Sequence, residues 1–318
     1  MVRFGNCIYH SFSTAMARSQ VLTEKYLMDQ MKQSVPYLSN DAHKGQAGRI
    51  GVFGGSLEYT GAPYFSSISA LRCGCDLVHV FCRKEAAPVI KCYSPELIVH
   101  SLLDVPDAVV SMAGWLDRLH AVVLGPGLGR DECVFKILPD ILGKIKEKGI
   151  PLVIDADGLF YINKKYEDIQ GCLNVVLTPN MMEFSRLYEA VMGSSVDLIN
   201  PEHVKSLAMK MGNVTILCKG KFDIISNGID TVICREVQGS PRRCGGQGDL
   251  LSGMLATLLH WTTCDTRAQF PTLSAACAAS VLTKTVNRKA FDVHGRGTLA
   301  TDMIPFIASS FRELIGHA

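Results

Sequence analysis

The chain has 318 residues, of which 47% are hydrophobic and 19% charged, a balance that supports a sizeable buried core and argues against disorder. A formal charge of +2 gives no electrostatic footprint for nucleic acid, and no apolar run approaches the length of a membrane span. Twelve cysteines without a regular framework, in a chain too long to need stapling, read as reduced thiols in an intracellular compartment.

Residues 1–20 differ from the rest. They carry Arg3 and Arg18, several Ser and Thr residues, and no acid appears before Glu24. That composition fits an organelle transit peptide or a disordered tail, so a mitochondrial and/or cytoplasmic location is expected. From Gly48 onward short apolar runs alternate with longer helical patterns. Strands are predicted over Arg49–Phe53, Leu77–Phe81, Leu97–His100, Ala121–Leu124, Leu152–Ile154, Val175–Leu177 and Val214–Leu217. Between them, helices are predicted over Ala62–Cys73, Asp131–Glu147, Met182–Val191 and Glu202–Met211, with Pro139 expected to break or kink the second. This alternation implies an α/β fold, with a mainly parallel sheet covered by helices on both faces. Phe222–Ser226 and Thr231–Arg235, joined through Asn227-Gly228, read instead as a hairpin. Thr272–Val286 and Asp302–Leu314 close the chain as helices.

The unusual residues follow the strands. Gly54-Gly55-Ser56, Gly125-Pro126-Gly127-Leu128-Gly129-Arg130, Asp155-Ala156-Asp157-Gly158, Thr178-Pro179-Asn180 and Lys219-Gly220 each come directly after a predicted strand. In open α/β sheets ligands bind beyond the carboxyl ends of the strands, so these turns imply one long cleft.

Arg242-Arg243-Cys244-Gly245-Gly246-Gln247-Gly248-Asp249 then runs straight into Leu250-Leu251-Ser252-Gly253-Met254-Leu255-Ala256, apolar nearly all round and therefore a buried helix. Its free amides and positive dipole end would sit among the glycines, where backbone N–H groups can close around an anion. Beside a phosphoryl group Asp249 looks like a base, which suggests phosphoryl transfer to a hydroxyl. The alternative is a glycine turn in which Asp249 caps the helix.

Other motifs weigh less. No P-loop run exists, and Gly125-x-Gly127-x-x-Arg130 replaces the third glycine of a dinucleotide fingerprint with arginine. Cys73, Cys75, His79 and Cys82 lack zinc spacing and read as small buried residues, so no protein-held metal is expected there. Asn213-Val214-Thr215 is a glycosylation sequon opening an apolar strand and is expected to stay unmodified. Asp155 and Asp157 could hold magnesium through its waters or cap a turn. Lys219 and Asp223 flank a glycine, where the lysine could reach phosphate or the two form a solvated pair.

Taken in order, Lys44-Gly45-x-x-Gly48-Arg49, Gly54-Gly55-Ser56-x-x-Tyr59-Thr60-Gly61-Ala62-Pro63, Gly125–Arg130, Asp155–Gly158, Thr178-Pro179-Asn180-x-x-Glu183-Phe184 and Cys244–Asp249 resemble the ATP-dependent NAD(P)H-hydrate dehydratases of eukaryotes. The resemblance spans 44–318 and implies the ribokinase-like fold, a three-layer α/β/α domain. It implies that ATP phosphorylates the hydroxyl of the S form of hydrated NADH or NADPH. Phosphate then leaves, restoring the cofactor.

Carried over by motif, Asp249 is the expected base, with Gly245, Gly246 and Gly248 as the anion hole. ATP would be held by Lys219, Gly220, Lys221, Phe222 and Asp223, together with Gly239, Ser240, Pro241, Arg242, Arg243, Cys244, Gly245, Gly246, Gln247 and Gly248. The hydrate would lie against Ala62, Gly129, Asn180, Met181, Met182, Glu183, Phe184, Ser185, Arg186 and Asp249. Many relatives carry histidine in or just after the Thr-Pro-Asn position, where this chain has Met181 and Met182. Mg2+ is expected with ATP. Partners expected are the hydrated cofactors, a second copy in a homo-oligomer, and NAD(P)H-hydrate epimerase as a functional partner, with no nucleic acid and no membrane. The runner-up is a kinase of the same fold acting on a vitamin-like alcohol such as hydroxymethylpyrimidine.

Overall fold

The computed structural model describes residues 22–316, so the segment 1–20 read as a transit peptide or tail lies outside the described residues. The described chain opens earlier than the domain start expected at Lys44. Helix α1 (Glu24–Ser34) buries Leu27 and Met31 completely, so the folded unit includes it. The buried Glu24 carboxylate accepts from the amides of Arg235 and Glu236 and clamps this helix to the far edge of the sheet.

The sheet follows the predicted alternation. In chain order come β1 (Arg49–Phe53), α2 (Gly61–Cys73), β2 (Leu77–Cys82), α3 (Ala87–Tyr93), β3 (Ile98–Ser101), α4 (Ala108–Leu116) and β4 (Ala121–Leu124). These are followed by α5 (Glu132–Glu147), β5 (Leu152–Ile154), α6 (Asp157–Ile162), β6 (Val175–Leu177), α7 (Met181–Met192), α8 (Pro201–Lys210) and β7 (Thr215–Cys218). The hairpin β8 (Asp223–Ser226) and β9 (Thr231–Cys234) precedes α9 (Gln247–Cys264), α10 (Pro271–His294), α11 (Ala300–Met303) and α12 (Ile307–Leu314). The nine strands lie in the order β3-β2-β1-β4-β5-β6-β7-β8-β9, parallel through β7 and antiparallel for the hairpin.

Side chains alternate across each strand, and the alternation sorts two cores. Val52, Val80, Val123, Val153, Val176 and Leu217 pack beneath α2, α9 and α10, whereas Phe53, Phe81, Leu124, Ile154, Leu177 and Ile216 face the opposite layer of α5, α7 and α8. The result is the three-layer α/β/α architecture expected. The apolar helix α9 is buried over most of its length because it lies between α2 and α10. It approaches α2 so closely that a Cβ on Gly253 would stand 1.8 Å from the Ser66 carbonyl oxygen.

Two expectations change: the break or kink at Pro139, and the single helix over Asp302–Leu314, which a 3-10 turn at Ile304–Phe306 divides between α11 and α12. Pro139 does not break its helix: α5 runs unbroken from Glu132 to Glu147 with Pro139 on the exposed face, where water can reach the carbonyl that loses its partner. Helices α3 and α4 appear where the sequence pattern gives no expectation. Neither has a side-chain N-cap, and α3 is only seven residues long.

Candidate active site

The N-terminus of α9 opens at the carboxyl edge of the sheet. Its N-cap is Gly246, with φ of 91°, a left-handed conformation that glycine adopts without strain. No side chain caps the helix. Asp249 occupies the third helical position, so the capping alternative fails. Its carboxylate makes no hydrogen bond among the described residues, and the amides of Gly245, Gly246, Gly248 and Asp249 donate to no acceptor there either. The loop is braced from outside: Gln247 Nε2 donates to the Arg242 carbonyl (3.3 Å), and Arg242 Nε donates to the Thr298 carbonyl (3.2 Å). A braced loop therefore presents amides without acceptors beside an open carboxylate.

Beneath this loop lies an ion pair between two strand ends. Lys219, just after β7, donates from Nζ to Asp155 Oδ1 (2.9 Å), just after β5. The pair touches the loop, since a Cβ on Gly248 would meet Lys219 Nζ at 3.2 Å and Asp155 Oδ2 at 3.6 Å. Glu183, three residues into α7, forms a capping box with Asn180: its carboxylate accepts from the Asn180 amide (2.8 Å) and Asn180 Oδ1 accepts from the Glu183 amide (2.9 Å).

Three carboxylates thus share one ammonium. Burial pushes the Asp249 carboxyl up to about 7, Asp155 adds to the rise and Lys219 opposes it. Burial also raises Glu183, against the pull of Lys219. For Lys219 burial lowers the ammonium, but Asp155 and Glu183 outweigh it and leave the group raised and charged.

These groups line a cleft of about 690 Å³. Asp155, Asn180, Met181, Met182 and Glu183 form one wall, Lys219, Gly220, Lys221 and Asp223 another, and Gly239 with Arg243–Asp249 the roof. Helix α10 supplies a wall that the sequence reading missed: Ser280, Thr283, Lys284 and Asn287. Their spacing of i, i+3, i+4 and i+7 puts them on one face of the helix, and that periodicity was the signal. Asp223 does not pair with Lys219. It accepts from the Gly220 amide (2.9 Å) and Ser280 Oγ (2.6 Å), and lies 3.2 Å from Lys284 Nζ.

A family model described as NAD(P)H-hydrate dehydratase matches residues 50–308. The ATP-dependent (S)-NAD(P)H-hydrate dehydratase of Danio rerio is 50% identical over 291 residues, which cover 89% of this chain and 87% of that protein. The chain belongs to the NAD(P)H-hydrate dehydratase family. Among solved structures, a ribokinase-like superfamily protein from Enterococcus faecalis aligns with a TM-score of 0.75 at 20% identity, covering 96% of this chain and 100% of the other. The Bacillus subtilis ADP/ATP-dependent NAD(P)H-hydrate dehydratase, co-crystallised with ATP/Mg2+, aligns at 0.65 and 21% identity over 93% and 100% of the two chains. The three layers are those of the ribokinase-like fold.

Within this dehydratase fold the remaining expected residues scatter. Phe184 must be corrected: it is completely buried, packs at a tilt against the Tyr188 ring and belongs to the core below α7, so it has no surface for a ligand. At a capping-box helix start, the fourth residue turns inward. Ser185 Oγ donates to the Met181 carbonyl (3.0 Å), and Arg186 is exposed. Neither they nor Ala62 and Gly129 line the cleft. Gly129 belongs to an adjoining turn, where its amide donates to Asp157 Oδ2 (3.0 Å) and a Cβ added to it would meet Ser56 Cβ at 3.2 Å. Asp157 also accepts from Arg130 Nε (3.0 Å), which stacks on Phe160, so the arginine is already engaged.

On the nucleotide side Phe222, Ser240, Pro241 and Arg242 are not among the residues that line the cleft. Ser240 donates from its amide to Asn287 Oδ1 (2.6 Å) and positions the loop. Cys73, Cys75 and Cys82 are buried, and burial holds the thiols of Cys75 and Cys82 up at about 12. In the sequon, Thr215 is buried and hydrogen-bonded to Thr272 (2.7 Å).

Proposed function

We propose that this chain uses ATP to dehydrate the S form of hydrated NADH or NADPH, regenerating the reduced cofactor and releasing ADP and phosphate. The observation that carries the reading is Asp249: an unbonded carboxylate, its proton affinity raised to about 7 by burial, set directly under free helix-end amides. The substrate hydroxyl loses its proton to Asp249 as its oxygen attacks the γ-phosphorus of ATP, and ADP leaves. The amides of Gly245, Gly246 and Gly248 hold the oxygens of the transferring phosphoryl group, and Lys219, fixed by Asp155, adds a positive charge to the same floor. Phosphate then departs from carbon 6 of the ring with its bonding electrons. Loss of a proton from carbon 5 closes the double bond.

Mg2+ fits as a companion of ATP. No group of three metal-ligating side chains stands among the described residues, while the floor carboxylates suit a hard cation that keeps its waters and most of its phosphate ligands. Bound there, it would neutralise phosphate charge.

The test is incubation with ATP, magnesium and acid-hydrated NADH while following the reduced-nicotinamide absorbance and free phosphate. Both should rise together. A kinase acting on a vitamin-like alcohol would leave a phosphoester and no nicotinamide signal. We further propose that residues 1–20 send part of the protein to mitochondria, on their basic, acid-free composition. A fluorescent fusion that stays wholly diffuse in the cytosol would oppose it. A homo-oligomer, and epimerase as the enzyme that supplies the S form, complete the proposal. Light scattering, and turnover of mixed hydrates with and without epimerase, test these two points.

A further inference from the structure

The turn after β7 takes part in two ion pairs. Lys219 reaches across to Asp155 under the glycine loop, and four residues later Asp223 reaches back to Lys284 on α10. The first pair has a place in the chemistry. The second has none so far, yet its ammonium lines the same cleft.

The two lysines differ in how well they are satisfied. Lys219 Nζ makes a hydrogen bond of 2.9 Å to its carboxylate. Lys284 Nζ lies 3.2 Å from Asp223 Oδ1 but outside hydrogen-bonding geometry, is shielded from solvent, and meets no other acceptor among the described residues. The side chain as a whole is 12% exposed. Asp223 is meanwhile engaged by the Gly220 amide and by Ser280 Oγ. An ammonium carries three donors, and shielding one without acceptors costs free energy unless a ligand completes the set. The position narrows what that ligand offers. Lys284 Cγ lies 3.6 Å from where a Cβ on Gly239 would stand, at the opening of the ten-residue loop whose far end, Gly248, abuts Lys219.

We propose that Lys284 is a nucleotide-binding residue that donates to an oxygen or ring nitrogen of the nucleotide remote from the phosphoryl group transferred at Asp249. Asp223 holds the ammonium in the cleft, and the polar stripe Ser280, Thr283, Lys284 and Asn287 is the face that α10 presents to the nucleotide. Lys284 thereby recognises what ATP and ADP share, and Lys219 serves the end that distinguishes them. This rests on the reading of the cleft as an ATP site.

The experiment is calorimetric titration of the full chain with ATP and, separately, with ADP, for wild type, Lys284→Met and Lys284→Gln. Glutamine keeps a donor toward Asp223 and guards against a variant that fails to fold. Both variants should lose about ten-fold or more in affinity, equally for ATP and ADP, as expected for losing a hydrogen bond from a charged group. At saturating ATP the turnover number and the KM for hydrate should stay within about two-fold of wild type. Unchanged affinities in folded variants would make Lys284 a tether for Asp223 and nothing more. A loss confined to ATP would place it at the transferred phosphoryl, and either outcome overturns the proposal. Wild type that binds neither nucleotide would instead overturn the ATP-site reading beneath it.

Discussion

Two hollows at opposite edges of the same sheet hold buried titratable groups, and they behave differently. At the carboxyl edge Asp249, Asp155, Glu183 and Lys219 share the floor of the large cleft. At the amino edge His120, His260, Thr263 and Cys264 line a hollow of about 220 Å³. There the two imidazoles stack with centroids 4.9 Å apart, and Cys264 Sγ lies 3.4 Å from His260 Nδ1. Burial lowers both histidines, His260 to about 4, so the rings stay neutral. Burial perturbs groups in both places. At the amino edge it removes charge; at the carboxyl edge Lys219 and three carboxylates keep charge in play, and Asp249 titrates near neutrality. A perturbed group becomes useful where open donors and a counter-charge stand beside it.

The sharpest test of this contrast is Asp249→Asn. It is nearly isosteric but cannot take a proton, so turnover should fall by about 100- to 10,000-fold while ATP affinity stays close to wild type. Stability should move the other way. Asp249 holds its proton more tightly folded than unfolded, so wild type loses stability as pH rises from the ordinary carboxylate range through about 7. The variant should therefore melt a few degrees higher at about pH 8, with the difference vanishing near pH 4. Near-normal turnover would move the base elsewhere in the cleft.

Next in size is Lys219→Ala, which should weaken ATP binding by about 10- to 100-fold and hydrate binding much less. Lys219 holds the Asp249 proton affinity down, so the acid limb of the kcat/KM profile should move to higher pH. Asp155→Asn removes a charge that raises Asp249 and should move the limb to lower pH. Profiles that coincide in all three proteins would show that the floor charges do not reach the base.

A smaller effect is expected from Gly248→Ala. Its Cβ would press on Lys219 Nζ at 3.2 Å, and the side chain must yield by a few tenths of an ångström. Misplacement of that kind should lower kcat/KM by about ten-fold with the fold intact, measured by steady-state kinetics beside a melting curve. The smallest effect belongs to the amino edge. His260→Gln should change turnover by less than about two-fold and lower the melting temperature by a few degrees. His260 binds its proton less readily folded than unfolded, so its stabilisation is present above about 6.5 and is lost as pH falls through about 4. A large loss of turnover would erase the contrast between the two edges.

Much of this was legible in the sequence. Short apolar runs and intervening helical stretches marked most strands and the main helices, because a strand covered on both faces reads locally as a continuous apolar run. The glycine loop and the carboxyl-edge turns were legible locally as well. Gly246 needs a left-handed backbone, and the strand ends need chemistry of their own. What the sequence could not supply was which side chains meet. Lys219 pairs with Asp155, 64 residues away, and not with Asp223 four residues on. Asp223 turns to α10, whose polar stripe faces the cleft. Phe184, inside a motif that reads as ligand-binding, points into the core. Local spacing determines backbone period and conformational need. Contacts between separate βα units depend on sheet order and helix packing, which bring distant strand ends together; only the tertiary structure decided those.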